Sequence, residues 1–354
     1  MKLSVCMIVK NEEEVLKRCL DCVKQFADEI IIVDTGSNDK TKEIAQKYTN
    51  KVYDFVWVDD FSSARNFSFS KATSPYVMWL DADDIIDGEN IKKINLLKQN
   101  LGSQDVVMLK YCMGFDSDNN PTFSYYRERI FKMQKGVLWQ GFVHECIAPF
   151  GKIERHDIVV VHNKIAPSNP KRNLNLYRKH LKDGAVFNAR EQYYFSKEYF
   201  YNGYYKTCIK NLKKYLKMNN KFYPNFLDSV LHLAKCYKML GQYNKALDIL
   251  LNFIKENPPN SEIICEIAEI YLKQNNLQNA IFFYESALNI EPDYQSGAFI
   301  DNNFYYYIPL LQLVYLYYKT ENMQKSQLYH KQSLDKYPND KRVLYNDSFF
   351  KKYC

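Results

Sequence analysis

The sequence predicts an α/β domain, with a mostly parallel sheet and helices on both faces, followed by an all-α repeat domain. Three observations carry this. Short, uniformly apolar runs alternate with amphipathic helical patterns in the first part of the chain. The stretch Asn163 to Pro170, with two prolines and a Ser-Asn pair, breaks any periodicity. Everything after it is helical in pattern and matches itself when slid by 34 residues. The expected domains are residues 1–165 and 166–354, in keeping with a chain too long for one core to fill.

In the first domain, Leu3 to Val9 reads as a strand, Glu13 to Gln25 as a helix, Ile30 to Val33 as a strand and Thr41 to Tyr48 as a helix. Strands apolar along their whole length are buried on both faces, which is the mark of a parallel sheet covered by helices. Further strands are expected at Lys51 to Trp57, Tyr76 to Leu80 and Val106 to Tyr111, with a mixed, aromatic-rich stretch reaching Val161. In such sheets ligands bind beyond the carboxyl ends of the strands.

In the second domain the 34-residue shift brings Ala234 onto Ala268, Tyr237 onto Tyr271, Ala246 onto Ala280, Pro258 onto Pro292 and Gly241 onto Asn275. Small residues where helices cross, a turn former between them and a proline after the second helix are what a stacked helical hairpin requires. Weaker copies lie around Asn202 to Tyr215, with Gly203, and around Met323 to Pro338. The pattern resembles tetratricopeptide repeats, and a homodimer through the repeat domain would cap the apolar ends of the stack.

Composition excludes several classes. With 46% hydrophobic and 25% charged residues the chain is ordinary globular protein. The apolar run at Leu3 to Val9 is too short for a signal peptide or a membrane span, so a cytoplasmic protein with no transmembrane segment is expected. Nine scattered cysteines suggest reduced core residues, and Cys19 and Cys22 fall inside an amphipathic helix pattern with no second pair to complete a zinc site. The net charge of +7 is spread along the chain, with no basic cluster interleaved with aromatics, so nucleic acid is not an expected partner. Lys210, Lys213, Lys214 and Lys217 have the spacing of a solvated helix face.

Chemistry concentrates at a few places. Asp34 ends the second strand and opens Asp34-Thr35-Gly36-Ser37-Asn38-Asp39, where a carboxylate would stand at the sheet edge and Gly36 allows close backbone approach; Ser37 or Asp39 also suits a helix cap. Neither GxGxxG nor GxxxxGK[ST] occurs. In Trp79-Leu80-Asp81-Ala82-Asp83-Asp84, carboxylates follow directly on an apolar strand. Such clustered anions repel unless a cation lies between them, and Mg²⁺ or Mn²⁺ bridging a diphosphate would serve. Around this stand Asp59-Asp60-Phe61-Ser62-Ser63-Ala64-Arg65-Asn66, Arg129-Ile130-Phe131, Trp139-Gln140-Gly141-Phe142-Val143-His144-Glu145 and Val160-Val161-His162-Asn163. The Arg65 guanidinium has the fork suited to phosphate.

This ordered set resembles family 2 glycosyltransferases of the GT-A type, within them the subgroup with C-terminal helical repeats that includes the sublancin-type peptide S-glycosyltransferases. The resemblance covers Ser4 to about Leu181. It implies that Val9, Asn11, Glu12, Asp34 and Ser37 line the nucleoside pocket, with Gly36 and Ala82 beside the donor and Arg65 near the phosphates. It implies Asp81 near ribose or metal-bound water, Asp83 on the metal, and His162 completing the metal shell. Glu145 is the implied general base, with His144 or Asp84 as alternatives. After His162 the family often shows Gly-Tyr, whereas Lys164-Ile165 follow Asn163 here; Lys171-Arg172-Asn173-Leu174 restores the match.

The expected function is therefore inverting, metal-dependent transfer of a sugar from a UDP-sugar to a peptide or protein side chain, Cys or Ser/Thr. A carbohydrate or lipid-linked acceptor on the envelope is an alternative acceptor class. An inactive repeat scaffold is an alternative of another kind, opposed by the intact Asp81, Asp83, His144, Glu145 and His162.

Overall fold

A computed structural model of the protein describes residues 1–115, 121–134, 136–165, 169–219, 221–294 and 300–353. Ala166, Pro167 and Ser168 of the expected boundary lie outside the described residues. The chain divides into two compact units, Met1–Met113 with Tyr125–Gly184, and Gly114–Ser124 with Ala185–Cys354.

The first unit holds β1 (Leu3–Val9), α1 (Leu16–Val23), β2 (Glu29–Asp34), α2 (Thr41–Gln46), β3 (Val52–Asp54), α3 (Phe61–Ser70), β4 (Tyr76–Trp79), β5 (Asp84–Ile85), α4 (Gly88–Asn100), β6 (Val106–Phe115), β7 (Pro121–Lys132), β8 (Ile153–His162) and α5 (Arg172–Lys182). The strand order is β3-β2-β1-β4-β7-β6-β8-β5. β3, β2, β1 and β4 run parallel, as their apolar sequences predict. β7 then pairs antiparallel with β4 and β5 antiparallel with β8, while β6 and β8 are parallel, so antiparallel pairs complete a sheet whose β3-β2-β1-β4 part is parallel. Leu16, Cys19, Leu20 and Val23 of α1 are buried on one side of the sheet with Leu3, Val5 and Met7, which confirms Cys19 as a core residue. Phe69 of α3, Trp79 and Trp139 are buried in a separate cluster with Cys6 and Ile31.

α5 packs with the first unit, beyond the boundary expected at 165/166. Phe142 explains this: its ring stacks on His180 at 3.8 Å and meets Tyr177 edge-on at 5.0 Å.

The second unit holds α6 (Ala189–Tyr201), α7 (Tyr205–Leu216), α8 (Tyr223–Met239), α9 (Tyr243–Glu256), α10 (Ser261–Lys273), α11 (Leu277–Ala287), β9 (Ile300–Asp301), α12 (Tyr307–Lys319), α13 (Met323–Lys336) and α14 (Lys341–Tyr353). β9 pairs with Phe123 and Ser124, the part of β7 that falls in this same unit. Consecutive helices pair as α6/α7, α8/α9, α10/α11 and α12/α13, and each pair is joined by the same turn. Gly203, Gly241, Asn275 and Glu321 all have positive φ, between 59° and 75°. The next residue's N–H returns to a tyrosine carbonyl, Tyr204 to Tyr199, Gln242 to Tyr237, Asn276 to Tyr271 and Asn322 to Tyr317, each at 2.9 Å. That is the 6→1 bond of a Schellman cap. Ala234, Ala246, Ala268 and Ala280 are fully buried, as close helix crossing requires. No helix among the described residues is long and apolar enough to cross a membrane.

Candidate active site

The strand ends of the first unit open on a cleft of about 800 Å³. β4 delivers Asp81 to its mouth, and a tight turn follows in which Asp84 N–H donates to the Asp81 carbonyl at 3.1 Å and Asp81 N–H donates to Asp84 Oδ2 at 3.0 Å. Antiparallel pairing of β5 with β8 sets Asp84 opposite His162, and the Asn163 N–H donates to the Asp83 carbonyl at 3.0 Å. Strand register thus brings a histidine remote in sequence to the acidic turn.

α3 contributes Arg65. Its sequence, Phe-Ser-Ser-Ala-Arg-Asn-Phe-Ser-Phe-Ser, is poor in helix formers, but Asp60 caps it through the Ser63 N–H at 3.2 Å. Burial of Ser62, Ala64, Ser68 and Phe69 holds the rest. Arg65 is buried too: Nε donates to Glu145 Oε1 at 2.5 Å and Nη2 to Asp81 Oδ1 at 2.8 Å. The fork expected near the phosphates is spent on two carboxylates.

His144 and Glu145 ride on a loop closed by paired backbone bonds between Gln140 and Cys146, 2.9 and 3.0 Å. Within it Gly141 has φ 94° and His144, with a side chain to accommodate, has φ 54°. The loop is tied to α3 by Phe61 N–H to the Phe142 carbonyl at 3.0 Å and by Asn66, whose amide bonds both the N–H and the carbonyl of Trp139.

Asp84, expected as an alternative base, is only 1% exposed and does not line the cleft. Its Oδ1 accepts from Tyr111 and its Oδ2 from Arg129 Nη1 at 3.0 Å. These contacts tie the turn to β6 and β7. Asp34, Gly36 and Ser37 also stand outside the cleft lining. Asp34 Oδ1 accepts from the N–H groups of Gly36 and Ser37, each at 2.9 Å, while Oδ2 is buried without a partner. Gly36 has φ 102°, a conformation that requires glycine there. Ser37 Oγ accepts from Asn11 N–H instead of capping α2; Asp39 accepts from the Thr41 N–H. Val9, Asn11, Glu12, Arg65, Asp81, Ala82, Asp83, His144, Glu145 and His162 all line the one cleft, together with Lys164 and Ile165.

The electrostatics fit a cation. Burial and the carboxylates of Asp83 and Asp81 push Glu12 up to about 7. Asp83 and Asp84 push His162 up to about 10. His162 Nδ1 lies 3.3 Å from Asp83 Oδ1 and 3.8 Å from Asp84 Oδ1, without hydrogen-bond geometry to either. One ligand atom from each of these three residues falls within 4.8 Å of the others. Two carboxylates and an imidazole suit Mn²⁺, and Mg²⁺ with more water. Asp81 differs: burial opposes its ionisation, but Arg65, Arg129 and Arg127 outweigh this and hold it below the usual carboxylate range.

Arg127 is among the lining residues that escaped the sequence reading. Arg127 lies on β7 two positions before Arg129, hence on the same strand face. Two arginines at that spacing, followed by the apolar Ile130-Phe131, were the available signal.

Residues 4–157 match the sequence model described as glycosyl transferase family 2, and residues 216–287 that described as anaphase-promoting complex, cyclosome, subunit 3. The chain is 30% identical over 273 residues to the SPbeta prophage-derived glycosyltransferase SunS of Bacillus subtilis, covering 69% of this chain and 60% of that one. An uncharacterized glycosyltransferase of Rickettsia typhi is 26% identical over 258 residues, 72% of this chain and 75% of its own. A TPR repeat-containing protein of Synechococcus elongatus is 47% identical over 83 residues, 23% of this chain and 21% of its own. The chain thus spans about three fifths of SunS and about a fifth of the Synechococcus protein. Residues 4–157 form a glycosyl transferase family 2 domain, and the chain joins it to tetratricopeptide-like repeats.

Proposed function

We propose that the cleft transfers a sugar, with inversion, from a UDP-sugar to a peptide or protein side chain. One observation carries the reading: Asp83, on the turn after β4, and His162, at the end of β8, face the same cleft as Asp81 and Glu145, which Arg65 holds in place. Asp83 Oδ1 and His162 Nδ1 would hold a divalent cation, with Asp84 Oδ1 behind them. Bound there, the cation supplies a Lewis acid to the diphosphate.

The chain's own residues do the rest. Asp81, ionised against Arg65, accepts hydrogen bonds from the donor's ribose. Glu145 takes the proton of the acceptor as its sulfur or oxygen attacks the anomeric carbon. The bond from that carbon to the diphosphate oxygen breaks, and its electron pair leaves with the diphosphate. A cysteine acceptor needs the least help, since a thiol supplies some thiolate unaided. The resemblance to peptide S-glycosyltransferases and the repeat domain, an architecture suited to extended chains, favour a peptide acceptor.

Incubation with several UDP-sugars and Mn²⁺ is expected to give slow donor hydrolysis, and Asp83→Ala to reduce it to background. A Cys- or Ser-bearing acceptor peptide should gain one sugar's mass. Hydrolysis undiminished in Asp83→Ala contradicts the assignment, and mass gained by a glycan but by no peptide reassigns the acceptor.

A further inference from the structure

Three guanidinium groups gather on the indole of Trp79: Arg129 at 3.8 Å from a ring centroid, Arg65 at 4.6 Å and Arg127 at 4.9 Å. Two of them are buried. Arg129 is fully buried and bonded to Asp84; Arg65 is buried and bonded to Asp81 and Glu145. Arg127 differs in place. Its side chain keeps 24% of its exposure and lines the cleft. Nη2 donates to the Glu145 carbonyl at 3.2 Å and Nε lies 3.6 Å from Glu128 Oε1.

We infer that Arg127 is a fixed cation for the donor's diphosphate, meeting the oxygen that leaves the sugar. The inference rests on the nucleotide-sugar reading above. As the bond from the anomeric carbon to oxygen breaks, that oxygen keeps the electron pair and gains negative charge, while the acceptor's proton goes to Glu145. A guanidinium matches phosphate oxygens with paired N–H donors. Arg127 meets the charge from a position set beforehand, braced by an aromatic face and a backbone carbonyl on a β-strand, so little reorganisation is needed as the charge develops. Arg65, which sequence suggested for the phosphates, is buried with Nε and Nη2 on Glu145 and Asp81, whereas the Arg127 side chain keeps part of its surface in the cleft.

The test is calorimetry of UDP and of uridine, each with Mn²⁺, on wild type, Arg127→Lys and Arg127→Gln, with circular dichroism as the fold control. Arg127→Gln should weaken UDP by about 10- to 100-fold, the range of a charge-assisted hydrogen bond, with uridine unchanged. Arg127→Lys, which keeps the charge and loses the fork, should fall between. Added ethylguanidine should restore part of the donor hydrolysis lost in Arg127→Gln. UDP affinity equal to wild type in Arg127→Gln overturns the inference, as does parallel loss of UDP and uridine, which marks a structural role. Intact UDP affinity with a raised KM for acceptor also overturns it. A wild-type protein that takes up neither UDP nor uridine overturns the nucleotide-sugar reading and this inference with it.

Discussion

Replacing Glu145 with glutamine is expected to lower the rate of transfer to a hydroxyl acceptor by about 10²- to 10⁴-fold, the usual worth of a positioned general base. UDP affinity should stay within about twofold of wild type. The amide retains an oxygen that accepts from Arg65 Nε, so the contact that spans α3 and the Gln140–Cys146 loop persists. What disappears is the group that receives the proton. The loss should be smaller for a thiol acceptor, and the ratio of the two losses reports the chemistry, since a merely structural defect would slow both alike. Transfer to both acceptors within threefold of wild type would remove Glu145 from the mechanism and make His144, on the same loop and also lining the cleft, the next base to replace.

Arg129→Met is expected to cost about 3–5 kcal/mol, the range seen when one partner of a buried ion pair is removed. Arg129 and Asp84 side chains both have 0% exposure, and their 3.0 Å contact anchors the acidic turn to β7. Methionine fills much of the volume and leaves Asp84 as a charge with Tyr111 and the Asp81 N–H as its bonded partners. Against a total stability of roughly 5–15 kcal/mol this is a large fraction, read as a lowered denaturation midpoint. Arg129→Met with Asp84→Asn should recover part of the loss, because the stranded charge is gone. Unchanged stability in the single variant would show that the pair does not hold the turn.

Much of this was legible in the chain. Leu3–Val9, Ile30–Val33 and Tyr76–Leu80 announce buried parallel strands because both faces are apolar, and the acidic turn stands out because carboxylates follow such a strand without a break. The repeat was legible because a Schellman turn demands glycine or its few substitutes at a fixed place; Glu321 there is the position a residue-type scan passes over. α3 was read as a motif and not as a helix, since four serines in ten residues hide a segment that tertiary packing holds helical. The antiparallel entry of β7 was not legible, because strand direction depends on connections the residue pattern does not encode. Asp84 looked like a spare catalytic base because its partner, Arg129, lies far along the chain. Arg127 was hidden in a polar and aromatic strand whose alternation says which residues share a face but not what that face adjoins.

On the proposed function, Asp83 and His162 hold a divalent cation against a nucleoside diphosphate. Titration of UDP into the wild-type protein, with Mn²⁺ and again with excess EDTA, tests it most directly. Saturable heat with Mn²⁺ that is lost or greatly weakened on chelation, and a loss of that metal dependence in Asp83→Ala, is the predicted result. No heat in the presence of metal, or the same affinity with and without it, would contradict the account.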